Sequence, residues 1–244
     1  MSLNDNNTIG IKNMIFSILT SSNSARDKFI LIVAYALAAM FAIVIHEYSH
    51  ARVAVKCGDL TPKLAGRLTL NPMAHFDVFG LVLFFLIGFG WAKPVPVDMR
   101  NFKHPKRDMA ITALAGPVSN VLICCVVLFI YGIIFLPCKL SGSEFWGDVL
   151  NMVYITSYLS IALAIFNIIP VPPLDGSKVL FSLMSDEAYL KLMRYERYGG
   201  LVLMVLMMTG VLGRPVSTVV SAIYSNLIPV AQFACDLVVK LFYK

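Results

Sequence analysis

The residues of this sequence best suited to chemistry lie within five consecutive positions, His46-Glu47-Tyr48-Ser49-His50. Helical positions four apart lie on one face about one turn from each other, so His46 and His50 can share a zinc ion. In the pattern His-Glu-x-x-His, the glutamate serves as a general base beside the metal. With four histidines and four glutamates in 244 residues, a chance match is expected roughly 0.001 times. The alternative is a pair of helix-packing histidines beside a glutamate that extends toward water.

A catalytic zinc needs a third protein ligand and one open position. Most other acidic residues lie in polar connectors or tails, where we expect solvated side chains; they include Asp98, Asp108, Asp186 and Glu187. Asp175 differs, because it follows an apolar run and three prolines within 170–173 that remove backbone donors and break a helix. Gly176 then lets the chain turn back. Asp175 could instead be the N-cap of a helix over 177–184, but the histidine pair favours the ligand.

The composition is that of a helical membrane protein. Of the 244 residues, 58% are hydrophobic and 14% are charged, and the mean hydropathy is +0.77. Soluble globular domains carry about 25% charged residues, so this balance excludes an ordinary cytosolic enzyme. The five cysteines show neither paired nor CxxC spacing, which indicates neither a disulfide framework nor a cysteine zinc site.

The apolar runs predict an all-α polytopic membrane protein with about five transmembrane helices and a re-entrant or β insert after the first. The predicted spans are 29–56, 109–136, 146–169, 198–212 and 216–239. The apolar stretch 78–91 is short for a span and is predicted to re-enter the membrane. The alternation at 64–70 fits either a loop or a β-hairpin. We therefore expect an N-terminal polar or interfacial segment (1–27), a membrane core (28–184) and a C-terminal transmembrane hairpin (185–244).

The basic residues predict the orientation. The net charge is +6, and if 78–91 re-enters, fifteen of the twenty Lys and Arg side chains fall on one side of the membrane. Cytoplasmic loops carry the excess of Lys and Arg. The loops after His50 and after Asp175 are therefore expected to face the cytoplasm, and the excess of positive charge does not call for nucleic acid.

Three motifs, in this order, resemble the site-2 protease family of intramembrane zinc metalloproteases. They are His46-Glu47-Tyr48-Ser49-His50, Gly116-Pro117-Val118-Ser119-Asn120, and the stretch from Asn167 through Pro172-Pro173-Leu174-Asp175-Gly176. The resemblance covers about residues 29–184. It implies a minimal form without the PDZ domain that many relatives carry.

The resemblance also implies roles for individual residues. One Zn²⁺ per chain would be bound by His46, His50 and Asp175, and Glu47 would activate the water. Asn120 and Asn167 would act near the substrate or the oxyanion. The implied function is hydrolysis of peptide bonds in or near transmembrane segments of membrane-protein substrates, as in regulated intramembrane proteolysis, in a bacterial inner membrane.

Two other functions remain open from the sequence. A metal-binding membrane transporter would use the same ligands for transient binding, and a catalytically silent membrane chaperone could descend from a protease. If the chain is a protease, its substrate helix must be unwound, because helical carbonyls are engaged in i→i−4 hydrogen bonds. Residues 64–70 or 78–91 could offer an edge to which the unwound substrate adds as a strand.

Overall fold

The structure is a computed structural model that describes residues 24–77, 79–80, 92–185, 187, 198–203, 205–206 and 209–242. Most of these residues are helical: α1 (Ala25–Lys56), α2 (Thr61–Leu64), α3 (Pro105–Ser141), α4 (Glu144–Ile168), α5 (Asp175–Ser182) and α6 (Gly213–Phe242). Short 3-10 turns form at Pro72–Ala74 and Met99–Asn101. The all-helical prediction is confirmed for the described part of the chain.

Four of the described helices, α1, α3, α4 and α6, are long and apolar enough to cross a membrane. We expected about five spans. The remaining one, 198–212, is helical at 198–203 and 205–206 but is only partly described. Residues 1–23 of the predicted interfacial segment (1–27) and most of the predicted re-entrant segment 78–91 lie outside the described residues, so those expectations stay predictions.

The β-hairpin that the alternation at 64–70 allowed does not form. Pro62 is the second residue of the single turn α2, Gly66 has a φ of +69°, and the Arg67 N–H donates to the Pro62 carbonyl at 2.8 Å. These turns use the backbone groups that a hairpin would pair. Among the described residues, the β-type pairing consists of an isolated antiparallel bridge between Phe76 and Ala92.

Small residues recur along α1 and let other helices approach it closely. Ser24 caps the helix by accepting a hydrogen bond from the Asp27 N–H at 3.2 Å. The buried face then repeats about every four residues: Ala34, Ala38, Ala42, His46, His50 and Ala54. Small side chains at such spacing are typical of helix contacts within membranes. The two histidines therefore continue the face of α1 that points into the bundle.

The long helix α3 is the centre of the bundle and packs against α1, α4, α5 and α6. Gly132 lets α6 approach closely, because a Cβ there would overlap the Ala231 carbonyl oxygen and lie 2.8 Å from the Cβ of Ala234. The apolar core between α3, α4 and α6 includes Leu128, Ile161 and Val220. This packing holds the first turns of α3 beside the histidine face of α1.

The helix α4 ends where the prolines begin. Residues 169–174 are irregular, Leu174 is the N-cap of α5, and Asp175 is the first residue of that helix. Asp175 is therefore not the N-cap, and α5 begins two residues before the expected 177. A Cβ at Gly176 would lie 2.7 Å from the Ile169 carbonyl oxygen, so this glycine lets α5 fold back against the end of α4.

Candidate metal centre

The two histidines of α1 present the same ring nitrogen to one point inside the bundle. His46 and His50 are both buried, with relative exposures of 4% and 7%. Their ring centroids lie 4.6 Å apart, the rings are nearly perpendicular, and the two Nε2 atoms are 3.0 Å apart. The four-residue spacing therefore places the imidazoles as the sequence predicted.

Asp175 completes a triangle with the two histidines. Its Oδ2 lies 3.1 Å from Nε2 of His46 and 3.1 Å from Nε2 of His50, and the carboxylate is itself buried. A tetrahedral zinc with bonds of about 2.0–2.1 Å separates its ligand atoms by about 3.3–3.4 Å. Two imidazole nitrogens and a carboxylate oxygen at these separations fit a zinc ion in both donor type and spacing.

The contact on the far side of the His50 ring fixes which nitrogen carries the proton. His50 Nδ1 lies 2.7 Å from the Thr112 carbonyl oxygen, and a carbonyl can only accept, so Nδ1 must be the donor. In a neutral ring, Nε2 then carries a lone pair that is directed at the triangle. Histidine ligands of metals use a backbone carbonyl in this way.

Asn120 occupies the matching position behind His46. It is fully buried, its Nδ2 lies 3.2 Å from His46 Nδ1, and its buried Oδ1 has no hydrogen-bond partner among the described residues, so a half-turn of the amide would bring Oδ1 to the ring. An amide can present either its NH₂ or its oxygen. With the oxygen toward the ring, His46 Nδ1–H donates to Asn120, and Nε2 becomes a free ligand atom like that of His50.

Glycine lets α3 approach the two rings. An added Cβ at Gly116 would lie 2.6 Å from Cε1 of His46 and 2.6 Å from Cε1 of His50, with His50 Nε2 nearer still. Ordinary carbon contacts lie at about 3.5–4.0 Å. The absence of a side chain at Gly116 is therefore a condition for this geometry.

Glu47 lies beside the triangle and does not belong to it. It is half-buried, and its Oε2 accepts a hydrogen bond from the Val95 N–H at 3.2 Å. Glu47 follows His46 directly on α1, and its carboxylate points to the segment that begins at residue 92. This position beside the ligands suits a group that handles protons.

The structure brings together some of the predicted site residues and not others. His46, His50, Asp175 and Asn120 are in direct contact. The contact described for Asn167 is to its own helix, where Nδ2 donates to the Leu163 carbonyl at 3.0 Å. A role for Asn167 near the substrate stays a prediction.

The expectation that the side chain of Asp108 is solvated is wrong, because Asp108 is only 2% exposed. It accepts a hydrogen bond from the His104 N–H at 2.9 Å and pairs with the exposed Arg107 at 2.9 Å. The acid thus closes the first turn of α3. A polar connector composition gave no sign of this burial.

Three polar residues between α1 and α3 are also buried: Asp59, Arg67 and His75. Burial opposes ionisation of Asp59, but hydrogen bonds from Thr61, Asn101 and the Asp98 N–H outweigh it and hold the pKa of Asp59 below its usual value. Loop residues of these types are mostly exposed. Their burial here depends on hydrogen-bond partners far away in the sequence, which no local sequence pattern indicates.

An apolar cleft of about 220 Å³ adjoins the triangle. It lies between α3, α5 and the end of α4, and Asp175 forms part of its wall beside Pro117 and Val179. One residue of the triangle therefore borders a space that accepts apolar groups.

Comparison with known proteins identifies relatives. Residues 132–212 match the model of peptidase family M50. The chain is 38% identical over 174 residues to YwhC of Bacillus subtilis, which is named as a candidate zinc metalloprotease; the match covers 69% of this chain and 77% of YwhC. It is 27% identical over 180 residues to Rip2 of Mycolicibacterium smegmatis, named in the same way, over 72% of this chain and 66% of Rip2. No solved structure matches the chain.

Proposed function

Because this chain belongs to peptidase family M50, the site-2 protease family, we propose that it is a zinc metalloprotease that cuts membrane-protein substrates in or near their transmembrane segments. One observation carries the proposal: two imidazole nitrogens and one carboxylate oxygen converge within 3.1 Å of one another inside an apolar bundle. A buried carboxylate in such surroundings needs a cation or a proton donor.

His46, His50 and Asp175 would hold one zinc ion through Nε2, Nε2 and Oδ2. Bound zinc supplies Lewis acidity: it lowers the pKa of a water and polarises a carbonyl oxygen. The Thr112 carbonyl holds the His50 ring, and Asn120 holds the His46 ring, so that both Nε2 atoms stay directed at the metal position.

Glu47 would carry the proton. Its carboxylate is adjacent to the ligands without being one of them, and it is partly exposed, so that a water can contact it. It takes a proton from the attacking water and gives it to the leaving amine nitrogen. Asn120 contacts His46, so we assign it to the orientation of that ring and not to the oxyanion.

The site lies near one end of the bundle, where water is accessible. His50 is six residues from Lys56, the end of α1, which is about 9 Å at 1.5 Å per residue. At the opposite end, Arg26 pairs with Glu144 at 2.7 Å. With the basic loops on the side of Lys56, we propose that the site faces the cytoplasm, in a bacterial inner membrane.

The substrate would be a transmembrane segment unwound near the site, since a helix engages its own carbonyls. We retain the division into an N-terminal segment (1–27), a protease core (28–184) and a C-terminal hairpin (185–244) as part of the proposal. A strand edge at 64–70 is no longer part of it, because those residues form turns.

The test is cleavage of several single-span test substrates by the purified protein in liposomes, with zinc content measured in parallel. Glu47→Gln removes the base and keeps the ligands. Glu144→Gln is the matched control, because this exposed glutamate lies at the opposite end of the bundle. We expect equal zinc in all three proteins, and cleavage by the parent and by Glu144→Gln alone.

Two results contradict the proposal in different ways. If all three proteins bind zinc and none cleaves any substrate, a transporter or a silent chaperone becomes the better interpretation. If the folded parent binds no zinc, the metal site itself is refuted.

A further inference from the structure

The carboxylate of Glu47 is held by the backbone of a distant segment. The Val95 N–H donates to Glu47 Oε2 at 3.2 Å, across 48 positions of sequence. Glu47 itself lies on the rigid helix α1, but its side chain ends in freely rotating bonds. A hydrogen bond to one carboxylate oxygen therefore decides where the other oxygen points.

The two prolines beside Val95 leave its N–H as the one backbone donor among residues 94–96. Pro94 and Pro96 flank Val95, and proline has no N–H. Of the three residues, which we call the clamp (Pro94, Val95 and Pro96), only Val95 can donate a backbone hydrogen bond. Proline also fixes φ near −65°, which reduces the number of conformations that the clamp can adopt.

The chain is anchored just before the clamp. The Lys93 N–H donates to the His75 carbonyl at 2.9 Å. The buried Arg67 side chain donates from Nη1 to the Ala74 carbonyl and, at 3.4 Å, to the Lys93 carbonyl. Arg67 thus joins the two backbone segments that meet at this point.

The chain is also anchored just after the clamp. The Asp98 N–H donates to Asp59 Oδ2 at 2.8 Å, and Asn101 Nδ2 donates to Asp59 Oδ1 at 2.8 Å. Asp59 is fully buried, and its own N–H donates to the Ala54 carbonyl of α1 at 3.0 Å. The anchor is therefore built on the same helix that carries Glu47.

We propose that the clamp is a positioning element that orients the Glu47 carboxylate through the Val95 N–H, and that Asp59 and Arg67 are buried in order to hold the clamp in place. The inference rests on the proposed function, because it gives Glu47 the role of base. With Oε2 engaged by Val95, the other oxygen is left to accept a proton from water. General bases must be held within a fraction of an ångström to act efficiently.

The experiment removes the Val95 N–H and keeps the other backbone donors of this segment. Val95→Pro is compared with Val97→Pro, which removes an N–H two residues later that makes no hydrogen bond among the described residues. We measure kcat, KM and zinc content with a fluorogenic single-span substrate. For Val95→Pro we expect kcat to fall about 10- to 100-fold, with KM within twofold and zinc unchanged. Val97→Pro should stay within threefold of the parent in kcat.

A second variant separates the donor from the side chain. Val95→Ala keeps the N–H, so its kcat should stay at least about tenfold above that of Val95→Pro. The inference is overturned if Val95→Pro retains kcat within threefold of the parent, or if both proline variants lose the same amount. It is also overturned if Val95→Ala loses as much as Val95→Pro. In each case the parent still cleaves, so the proposed function stands.

If Val95→Pro does not bind zinc, a variant of the Asp59 anchor tests the positioning role of the clamp instead. Asn101→Ala removes one exposed donor to Asp59 and leaves Val95 untouched. A fall in kcat of at least twofold at constant KM supports the clamp, and an unchanged kcat overturns it. If the parent itself cleaves no substrate, the proposed function has failed and not the clamp alone.

Discussion

Replacing Gly116 with alanine should abolish tight zinc binding while leaving the bundle folded. The added methyl carbon would lie 2.6 Å from Cε1 of both histidine rings, and nearer still to His50 Nε2. Carbon atoms in contact prefer about 3.5–4.0 Å, so either the rings or the two helices must move apart by about 1 Å.

This displacement is large compared with what a metal site tolerates. Metal–ligand distances are kept within about 0.2 Å of their ideal values, so a ring shifted by about 1 Å no longer contributes a full bond. We expect the zinc dissociation constant to rise at least about 100-fold, which corresponds to about 3 kcal/mol. Overpacking costs stability as well, by about 1–3 kcal/mol.

The assay is a zinc titration against a competing chelator, with helicity and thermal unfolding recorded on the same protein. Gly147→Ala is the matched control, because it is a glycine-to-alanine change in helix α4 where no heavy atom lies within 4 Å of the new methyl. It should bind zinc like the parent. Parental zinc affinity in a folded Gly116→Ala protein would refute the argument that this glycine makes room for the ligands.

Three further predictions follow from individual contacts. Asn120→Leu should weaken zinc binding about 10- to 100-fold by releasing the His46 ring, whereas Asn120→Asp, which keeps an acceptor there, should bind more tightly than the leucine variant in the same titration. Gly132→Ala should lower the free energy of unfolding by about 1–3 kcal/mol because its Cβ would meet Ala234, yet zinc content should stay parental. The pKa of Asp59 is lower in the fold than in the unfolded chain, so its contribution to stability is complete above about pH 4 and is lost as the pH falls through its folded value. The protection factor of the Asp98 amide, which is its exchange rate relative to that of an unstructured amide at the same pH, should therefore fall below about pH 4 in the parent, and should already be small at pH 7 in Asp59→Ala.

The features that repeat or interrupt a regular pattern could be predicted from the sequence. The four-residue spacing of His46 and His50 needs only helical geometry to become a shared site. The prolines before Asp175 end α4 as expected, although α5 begins at the aspartate itself. Long apolar runs predicted the spans, because a membrane helix has no other way to satisfy its backbone.

The apolar run of the second span is shorter than the helix that contains it. The predicted span 109–136 ended before Pro137, but α3 continues through Pro137 to Ser141, and Pro117 also lies within it. Helices in membranes tolerate proline where neighbouring helices, side chains or local adjustments satisfy the freed carbonyls. The extent of the apolar run therefore did not give the C-terminal end of α3.

The connectors between α1 and α3 could not be predicted, for a different reason. Asp59 and Arg67 are buried because backbone groups far away in sequence, at Asp98 and Lys93, meet them. Such partners have no fixed spacing, so neither periodicity nor composition reveals them. The position of Val95 beside Glu47 depends on the same long-range contacts.

The hydrogen bonds behind the rings explain why the triangle suits a metal ion. The Thr112 carbonyl requires a proton on His50 Nδ1, so the neutral ring directs a lone pair at the Asp175 carboxylate from 3.1 Å away. Two lone pairs at that distance repel each other unless a proton or a cation lies between them. A divalent cation satisfies both histidines and the carboxylate at once, so the contacts that hold the rings also select for the metal.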